Sequence, residues 1–276
     1  MALVLEKTSD LEIDIDTLWE KVTQKEPIDS DVGVIILRQH HSAFNTTCRS
    51  FNLKVWGKSL IQWVSLAFDK CPILELDYQE GEDILTTIRP HISDKKYTAV
   101  FYADTPLFER RTFLSVLDFV QTKRMNVCKL ERGYIFVSDY IKTAERIYTS
   151  TCPNFAGKDE FMIAKDMESL EKISQILKSR IFDYHMKQGV QIIDKGSVSI
   201  DADVVIGNNV IIYPNNSLEG ETIILDNVIL NTGNVIINSR IGENTKLRNC
   251  VIMNSQIEKN SELEPFSVID NGVVKK

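Results

Sequence analysis

Nowhere in the 276 residues does an apolar run approach the roughly 18 needed to cross a bilayer. The first turns of sequence carry acids where a secretory leader would carry basic groups, so no membrane segment is expected and the chain reads as cytoplasmic. Excess positive charge is missing as well: 32 Lys and Arg stand against 39 Asp and Glu, a net charge of −7. Binding nucleic acid takes a basic stripe that displaces counterions from phosphates, so nucleic acid is excluded as a general partner, while a local site for a small anion is not. Paired cysteines are absent: Cys48, Cys71, Cys128, Cys152 and Cys250 are odd in number, widely spaced and without a C-x-x-C pair. That argues against a disulfide framework or a zinc site and for small buried apolar residues. The four histidines, His40, His41, His91 and His185, show no ligand spacing, so no structural metal is expected.

What is present suffices for two domains. A hydrophobic content of 43% over this length can bury a substantial core. Residues 1–30 read as an acidic lead-in with one short helix, because Thr17 and Glu20 stand at capping-box spacing before Val22. From Val32 the texture changes. The continuous apolar run Val34 to Leu37 predicts a strand buried on both faces, Leu60 to Phe68 a buried helix, and Ile73 to Leu76 a strand. Ile84 to Ile92 predicts a helix stopped around Pro90, Thr98 to Ala103 another buried strand, and Glu109 to Thr122 an amphipathic helix. Strands alternating with helices imply an open, mostly parallel α/β sheet over residues 31–165. Ligands of such sheets sit beyond the carboxyl ends of the strands, so the loops after Leu37 and Ala103 are where chemistry is sought, and Asp104 stands in the second. Asp166 then caps a periodic helix to Met186, with Met167, Leu170, Ile173, Ile176, Leu177 and Ile181 on one face. This linker, residues 166–188, ends at Gly189.

Beyond it the period becomes six. Ile200, Ile206, Ile212, Leu218, Ile224, Leu230 and Ile236 are each six apart, and after a slip the period resumes at Ile241, Leu247 and Met253, then at Ile257, Leu263 and Ile269. This spacing predicts a parallel β-helix over residues 189–276, each hexapeptide forming one flat side and pointing one aliphatic residue inward. Corners need unusual dihedrals, which Gly207, Asn208, Asn209, Asn215, Asn216, Asn227, Asn244 and Asn260 are suited to supply. About four coils bury little alone, so side-by-side association is expected.

These stretches together resemble the bacterial bifunctional enzymes of UDP-N-acetylglucosamine synthesis, an N-acetylglucosamine-1-phosphate uridylyltransferase fused to a glucosamine-1-phosphate acetyltransferase, in a shortened and divergent form. The resemblance runs roughly from Val32 to Val268. Gly189-Val190-Gln191-Ile192-Ile193-Asp194 is similar to the family's G-V-x-I-I-D-P entry into its β-helix, with Lys195 at the proline, and Glu264-Pro265-Phe266-Ser267 is similar to its G-P-F-A step. Upstream, Gly57-Lys58-Ser59-Leu60-Ile61 resembles G-K-P-M and a helix start, and Tyr102-Ala103-Asp104-Thr105-Pro106-Leu107 resembles the Y-G-D-x-P-L metal loop. Glu131-Arg132-Gly133-Tyr134 resembles the N-x-G strand entry. The resemblance implies an α/β fold made of a truncated, Rossmann-like nucleotidyltransferase domain and a left-handed parallel β-helix that assembles homotrimers. It also implies Mg²⁺ as cofactor, held by Asp104 with Glu131 at the place of the family's asparagine ligand. The alternative for this pair is a loop-capping Asp and a solvated Glu.

The departures bear on function. The family's L-A-A-G-x-G-T-R-M loop lets backbone amides approach phosphates, whereas Leu37 is followed by Arg38-Gln39-His40-His41-Ser42-Ala43-Phe44, with no glycine. Arg38 and, at the family's P-K pair, Arg49 are the remaining cations for a nucleotide or phosphate, and Gly81 opens the stretch matching the uracil-contacting G-T-A-H-A. The stretch Phe119 to Tyr140 is short where the family carries a long sugar-binding insertion. The sequence as given stops ten residues after Phe266, so acetyl transfer by the family mechanism is expected to be absent. Two readings follow: a uridylyltransferase-type protein binding a nucleotide sugar or sugar phosphate with lost, weak or altered activity, or a non-catalytic trimeric β-helix scaffold for protein interaction or regulation. A standalone hexapeptide acyltransferase is disfavoured, because no histidine follows His185.

Overall fold

A computed structural model describes residues 29–44, 49–147, 150–151, 153 and 155–275. The helix expected around Thr17, and Cys48 and Cys152, lie outside the described residues. Cys71, Cys128 and Cys250 are buried. Among the described residues no helix is long and apolar enough to cross a membrane.

The chain runs β1 (Val32–Gln39), a hairpin of β2 (Lys54–Val55) and β3 (Lys58–Ser59), helix α1 (Leu60–Ser65), β4 (Ile73–Tyr78), α2 (Ile84–Ile88), β5 (Tyr97–Tyr102), α3 (Arg110–Lys123), β6 (Val127–Leu130), β7 (Gly133–Val137), α4 (Ser138–Thr143), β8 (Ser150–Thr151) and α5 (Met167–Lys187). The sheet order is β4-β1-β5-β7-β6-β8. Strands β4, β1 and β5 are parallel, and β7 runs antiparallel to both β5 and β6. The apolar run of β1 is buried on both faces because its side chains alternate. Val34 and Ile36 enter a cluster with Phe68, Phe101 and Phe113, while Ile35 and Leu37 meet Ile84, Ile88 and Val100. The result is a Rossmann-like layer with helices on both sides.

Helix ends follow local chemistry. Ser59 caps α1 and forms a capping box with Gln62. The helix expected over Ile84 to Ile92 is α-helical only to Ile88 and continues as a 3₁₀ turn, Arg89–His91, since Pro90 lacks the amide that an α-helix would require. Asp166 accepts a hydrogen bond from Ser169 N at the start of α5.

Helix α5 joins the two cores. Leu170, Ile173 and Leu177 pack with Phe44, Leu60 and Leu107, while Ile181 and Phe182 enter the core of the repeats. The β2–β3 hairpin makes a second joint. Its loop residues Trp56 and Gly57 both have positive φ, 50° and 81°, as a two-residue hairpin turn requires. A Cβ at Gly57 would stand 3.0 Å from the Asp201 carboxylate. Trp56 O accepts from Ala202 N (3.0 Å), Trp56 Nε1 donates to Ser174 O (2.8 Å), and Lys58 Nζ lies 2.5 Å from Asp203.

From Gln191 the chain forms three stacked sheets of two- and three-residue parallel strands, a left-handed parallel β-helix. Ile200, Leu218, Ile236, Ile252 and Ile269 align down one sheet, and Ile206, Ile224, Ile241 and Ile257 down a second. The inward residue at the second slip is Ile252, which is fully buried, rather than the expected Met253, which is only partly so. A shortened side between Leu247 and Ile252 moves the register by one residue, and in a strand one residue exchanges the faces. A final strand, Val273–Lys275, turns back antiparallel on Val268–Asp270.

Two groups stand out among the corner asparagines, with Asn215, at φ of 60°, outside both. Asn209, Asn227, Asn244 and Asn260 have φ between 56° and 60°, and their side chains form an exposed ladder with amide-to-oxygen distances of 3.3, 3.2 and 3.1 Å. Asn216 points inward instead and is 1% exposed, as Asn234 beneath it is fully buried. Asn234 Nδ2 donates to Asn216 Oδ1 (2.9 Å) and Asn231 O (2.6 Å), and its Oδ1 accepts from Cys250 N (3.0 Å). Gly207 and Asn208 do not take positive φ.

Two expectations test this architecture. Asn234→Ala leaves several buried polar groups without partners and is expected to cost about 3 kcal/mol, whereas Asn227→Gly keeps the corner dihedral accessible and costs less than about 1 kcal/mol, both read from urea unfolding. His185, near the end of α5, is buried with Nδ1 unpartnered, and burial lowers its pKa from the ordinary 6.5. The unfolded chain therefore binds the extra proton first, so stability is full above that ordinary value and falls as pH drops through it toward the lower folded value. His185→Leu should flatten this acid-side slope in pH-dependent unfolding.

Candidate functional site

The carboxyl ends of β1 and β5 lie side by side, fixed by Ala103 N donating to Leu37 O at 2.9 Å. Because β7 is antiparallel to β5 and pairs Gly133 with Phe101, the turn before β7 is delivered to the same place. Gly133 makes this approach feasible: its φ is 152°, and a Cβ there would stand 2.9 Å from Val100 O. Three segments distant in sequence thereby converge on Asp104, which is 2% exposed.

Both oxygens of Asp104 are engaged. Arg132 donates from Nε to Oδ1 (3.2 Å) and from Nη2 to Oδ2 (2.5 Å), and His41 Nε2 lies 2.8 Å from Oδ2. Arg132 Nη2 also donates to Gln39 Oε1 (2.9 Å), and its guanidinium lies 3.9 Å from the centre of the Tyr102 ring. Burial by itself would lower the Arg132 pKa. The hydrogen bond and charge of Asp104 more than offset it, so the guanidinium is held above its usual range. Burial likewise raises the Tyr102 phenol, which stays neutral beneath it.

The loop after β1 is built from side chains rather than from open backbone. Ser50, 1% exposed, accepts from His41 N through Oγ (3.2 Å) and donates its own amide to His40 Nδ1 (3.2 Å). Phe44 is buried in the cluster with Val55, Leu60 and Leu107. The segment is thus pinned at both ends, and its His41 side chain is turned onto Asp104.

The other residues singled out in the sequence fall around this centre. Arg38 pairs with Asp77 (2.9 Å) and Glu75 (3.5 Å), and Arg49 pairs with the same Asp77 (3.2 Å). The two arginines are brought together on either side of that acid, beside the Phe51 ring. Gly81 is exposed in the turn between β4 and α2 with φ of 96°, in open space. Glu131 is exposed on the β6–β7 turn. The side chains that meet Asp104 are instead Arg132 and His41. A signal for Arg132 did exist, since it is the cation next to Glu131 in a turn feeding the strand beside Asp104, but only the pairing of β7 with β5 reveals the contact.

The residues present do not fit Mg²⁺ at Asp104. One oxygen faces Arg132 and His41 and the other faces Arg132, so a divalent cation would have to displace a tethered guanidinium. Among the described residues no group of three or more His, Cys, Asp and Glu is gathered to hold a metal. As it stands the arrangement is a buried, hydrogen-bonded ion pair that ties three loops together.

No protein-family model matches the chain. It is similar to the bifunctional protein GlmU of Clostridioides difficile, 38% identical over 117 residues, which is 42% of this chain and 26% of that protein. It is 42% identical over 100 residues to that of Clostridium beijerinckii, covering 36% and 22% of the two chains. The match to that of Acetivibrio thermocellus is 35% identical over 115 residues, covering 42% and 25%. The chain spans about a quarter of the length of these curated relatives. A solved structure of CMP:2-keto-3-deoxy-manno-octonic acid synthetase complexed with CTP matches 55% of this chain and 100% of its own at a TM-score of 0.39 and 11% identity.

Removing Asp104 strands the Arg132 guanidinium, so Asp104→Ala is expected to cost about 3–5 kcal/mol in urea unfolding. Glu131→Ala, at an exposed turn, should stay within about 0.5 kcal/mol of the parent protein.

Proposed function

We propose that this chain, a divergent relative of the bifunctional GlmU proteins, is a non-catalytic nucleotidyltransferase relative: a β-helix scaffold that assembles as a homotrimer and presents its α/β domains for protein interaction or regulation. In this reading residues 31–165 form the presented domain, 166–188 the linker and 189–276 the assembling unit.

The observation that carries the reading is the course of the segment after β1. A loop that binds phosphate must leave its amides free and let the ligand approach the backbone. Here the His41 amide is taken by Ser50 Oγ, the His41 ring by Asp104, and Phe44 is locked into the core. Arg38 and Arg49, the cations available to an anionic ligand, already share Asp77. A nucleotide sugar or sugar phosphate entering at these residues would have to break the part-buried His41 contacts and compete with the exposed Asp77 for both arginines, which supports the scaffold over the ligand-binding reading.

Assembly is supported by the outward side of the longest β-helix sheet. Val235, Val251 and Val268 align along it, with Ile237 and Met253 beside them, all partly buried. An apolar face of this kind favours association with copies of itself.

Thermal-shift measurements with millimolar UTP or UDP-N-acetylglucosamine, each with Mg²⁺, should leave the melting temperature unchanged; a ligand-dependent rise would sink the non-catalytic reading. Light scattering should give a mass near three times the 31.5 kDa chain, and a monomer mass would remove the trimer.

A further inference from the structure

We infer that the Arg132 guanidinium serves as a built-in cation for this cleft, closing a latent metal site formed by Asp104, His41 and Gln39. The three side chains come from the ends of β1 and β5 and converge around one guanidinium. Arg132 Nη2 bridges Asp104 Oδ2 and Gln39 Oε1, Nε covers Asp104 Oδ1, and His41 Nε2 stands against Oδ2. A carboxylate, an amide oxygen and an imidazole together form a donor set suited to a divalent transition metal. The converging arrangement, rather than the acid alone, is what defines the site.

Arg132 meets the demands that such an ion would meet. It neutralises a carboxylate that is 2% exposed, and it gives directed N–H bonds to both carboxylate oxygens. Its fork holds the geometry, and the Tyr102 ring supports its flat face from 3.9 Å away. Being tethered through the β6–β7 turn, it never leaves the vicinity, so a free ion competes against an intramolecular partner at high effective concentration. An ammonium would supply charge without the fork, which is why arginine rather than lysine suits this position. The cleft is therefore independent of metal in its resting form, whether or not a nucleotide enters it. Nucleotide binding would overturn the scaffold reading and leave this inference standing.

Mn²⁺ binding to the full chain, followed by the loss of the free-ion EPR signal and always compared with Asp104→Asn, tests the inference. The parent protein at millimolar Mn²⁺ should bind no more than Asp104→Asn does. Arg132→Ala should gain one equivalent of bound Mn²⁺, and Arg132→Ala combined with Asp104→Asn should lose it. Arg132→Met, whose apolar stem still covers Tyr102, repeats the gain if the alanine variant does not fold by circular dichroism. One equivalent bound by the parent protein and abolished by Asp104→Asn would overturn the inference, as would a folded Arg132 variant that gains none. Should neither Arg132 variant fold, the comparison of the parent protein with Asp104→Asn decides alone, with equal binding supporting the inference and an Asp104-dependent equivalent refuting it.

Discussion

A carboxylate withdrawn from water at the carboxyl ends of β1 and β5 has to be neutralised where it stands, and the organisation of the α/β domain around Asp104 follows from that requirement. Leaving a buried carboxylate unpaired costs several kcal/mol, more than any single surface contact can return. Arg132 reaches it because β7 runs antiparallel to β5 and brings its preceding turn to the same edge, while His41 reaches it because the segment after β1 folds back over Ser50. The same ion pair that organises the loops stands at the carboxyl ends of the strands, the end at which open α/β sheets bind their ligands.

A second constraint joins this domain to the repeats. A β-helix exposes its first coil unless something covers it, and here α5 and the β2–β3 hairpin share that task. Ile181 and Phe182 extend the repeat core into the helix, and Trp56 donates to the helix backbone while accepting from the first coil. Gly57 lets the hairpin sit closely against Asp201, where a Cβ would stand 3.0 Å from the carboxylate, and its φ of 81° favours glycine. Burial raises the pKa of Asp201 at this joint. The Gly57-Lys58 pair is thus engaged in this joint, Lys58 through Asp203.

Much of the fold was legible because it depends on local periodicity. The run Val34 to Leu37, the helix face from Leu170 to Ile181 and the six-residue spacing from Ile200 to Ile236 each describe which side of an element meets its neighbours, and the elements form accordingly. Where spacing slipped, pattern alone misplaced one residue, choosing Met253 where Ile252 turns inward, because either could be aliphatic and only the length of the preceding side decides. The asparagines were legible as corner residues but not as two kinds. The exposed ladder of Asn209, Asn227, Asn244 and Asn260 and the buried pair Asn216 and Asn234 differ in which groups of the next coil stand below them.

The sequence by itself determined the alternation of strands and helices, the repeat, and the absence of glycine after Leu37, since each is written in residues close together in the chain. Tertiary structure alone decided what Asp104 meets. Glu131 and Arg132 are adjacent in sequence, yet Arg132 reaches the cleft while Glu131 stays exposed in the turn. Likewise Arg38 and Arg49 are both cations in the sequence, but it is their shared approach to Asp77 on β4 that fixes their charge partners. Ion pairing depends on distance through space and on burial, neither of which spacing along a chain records.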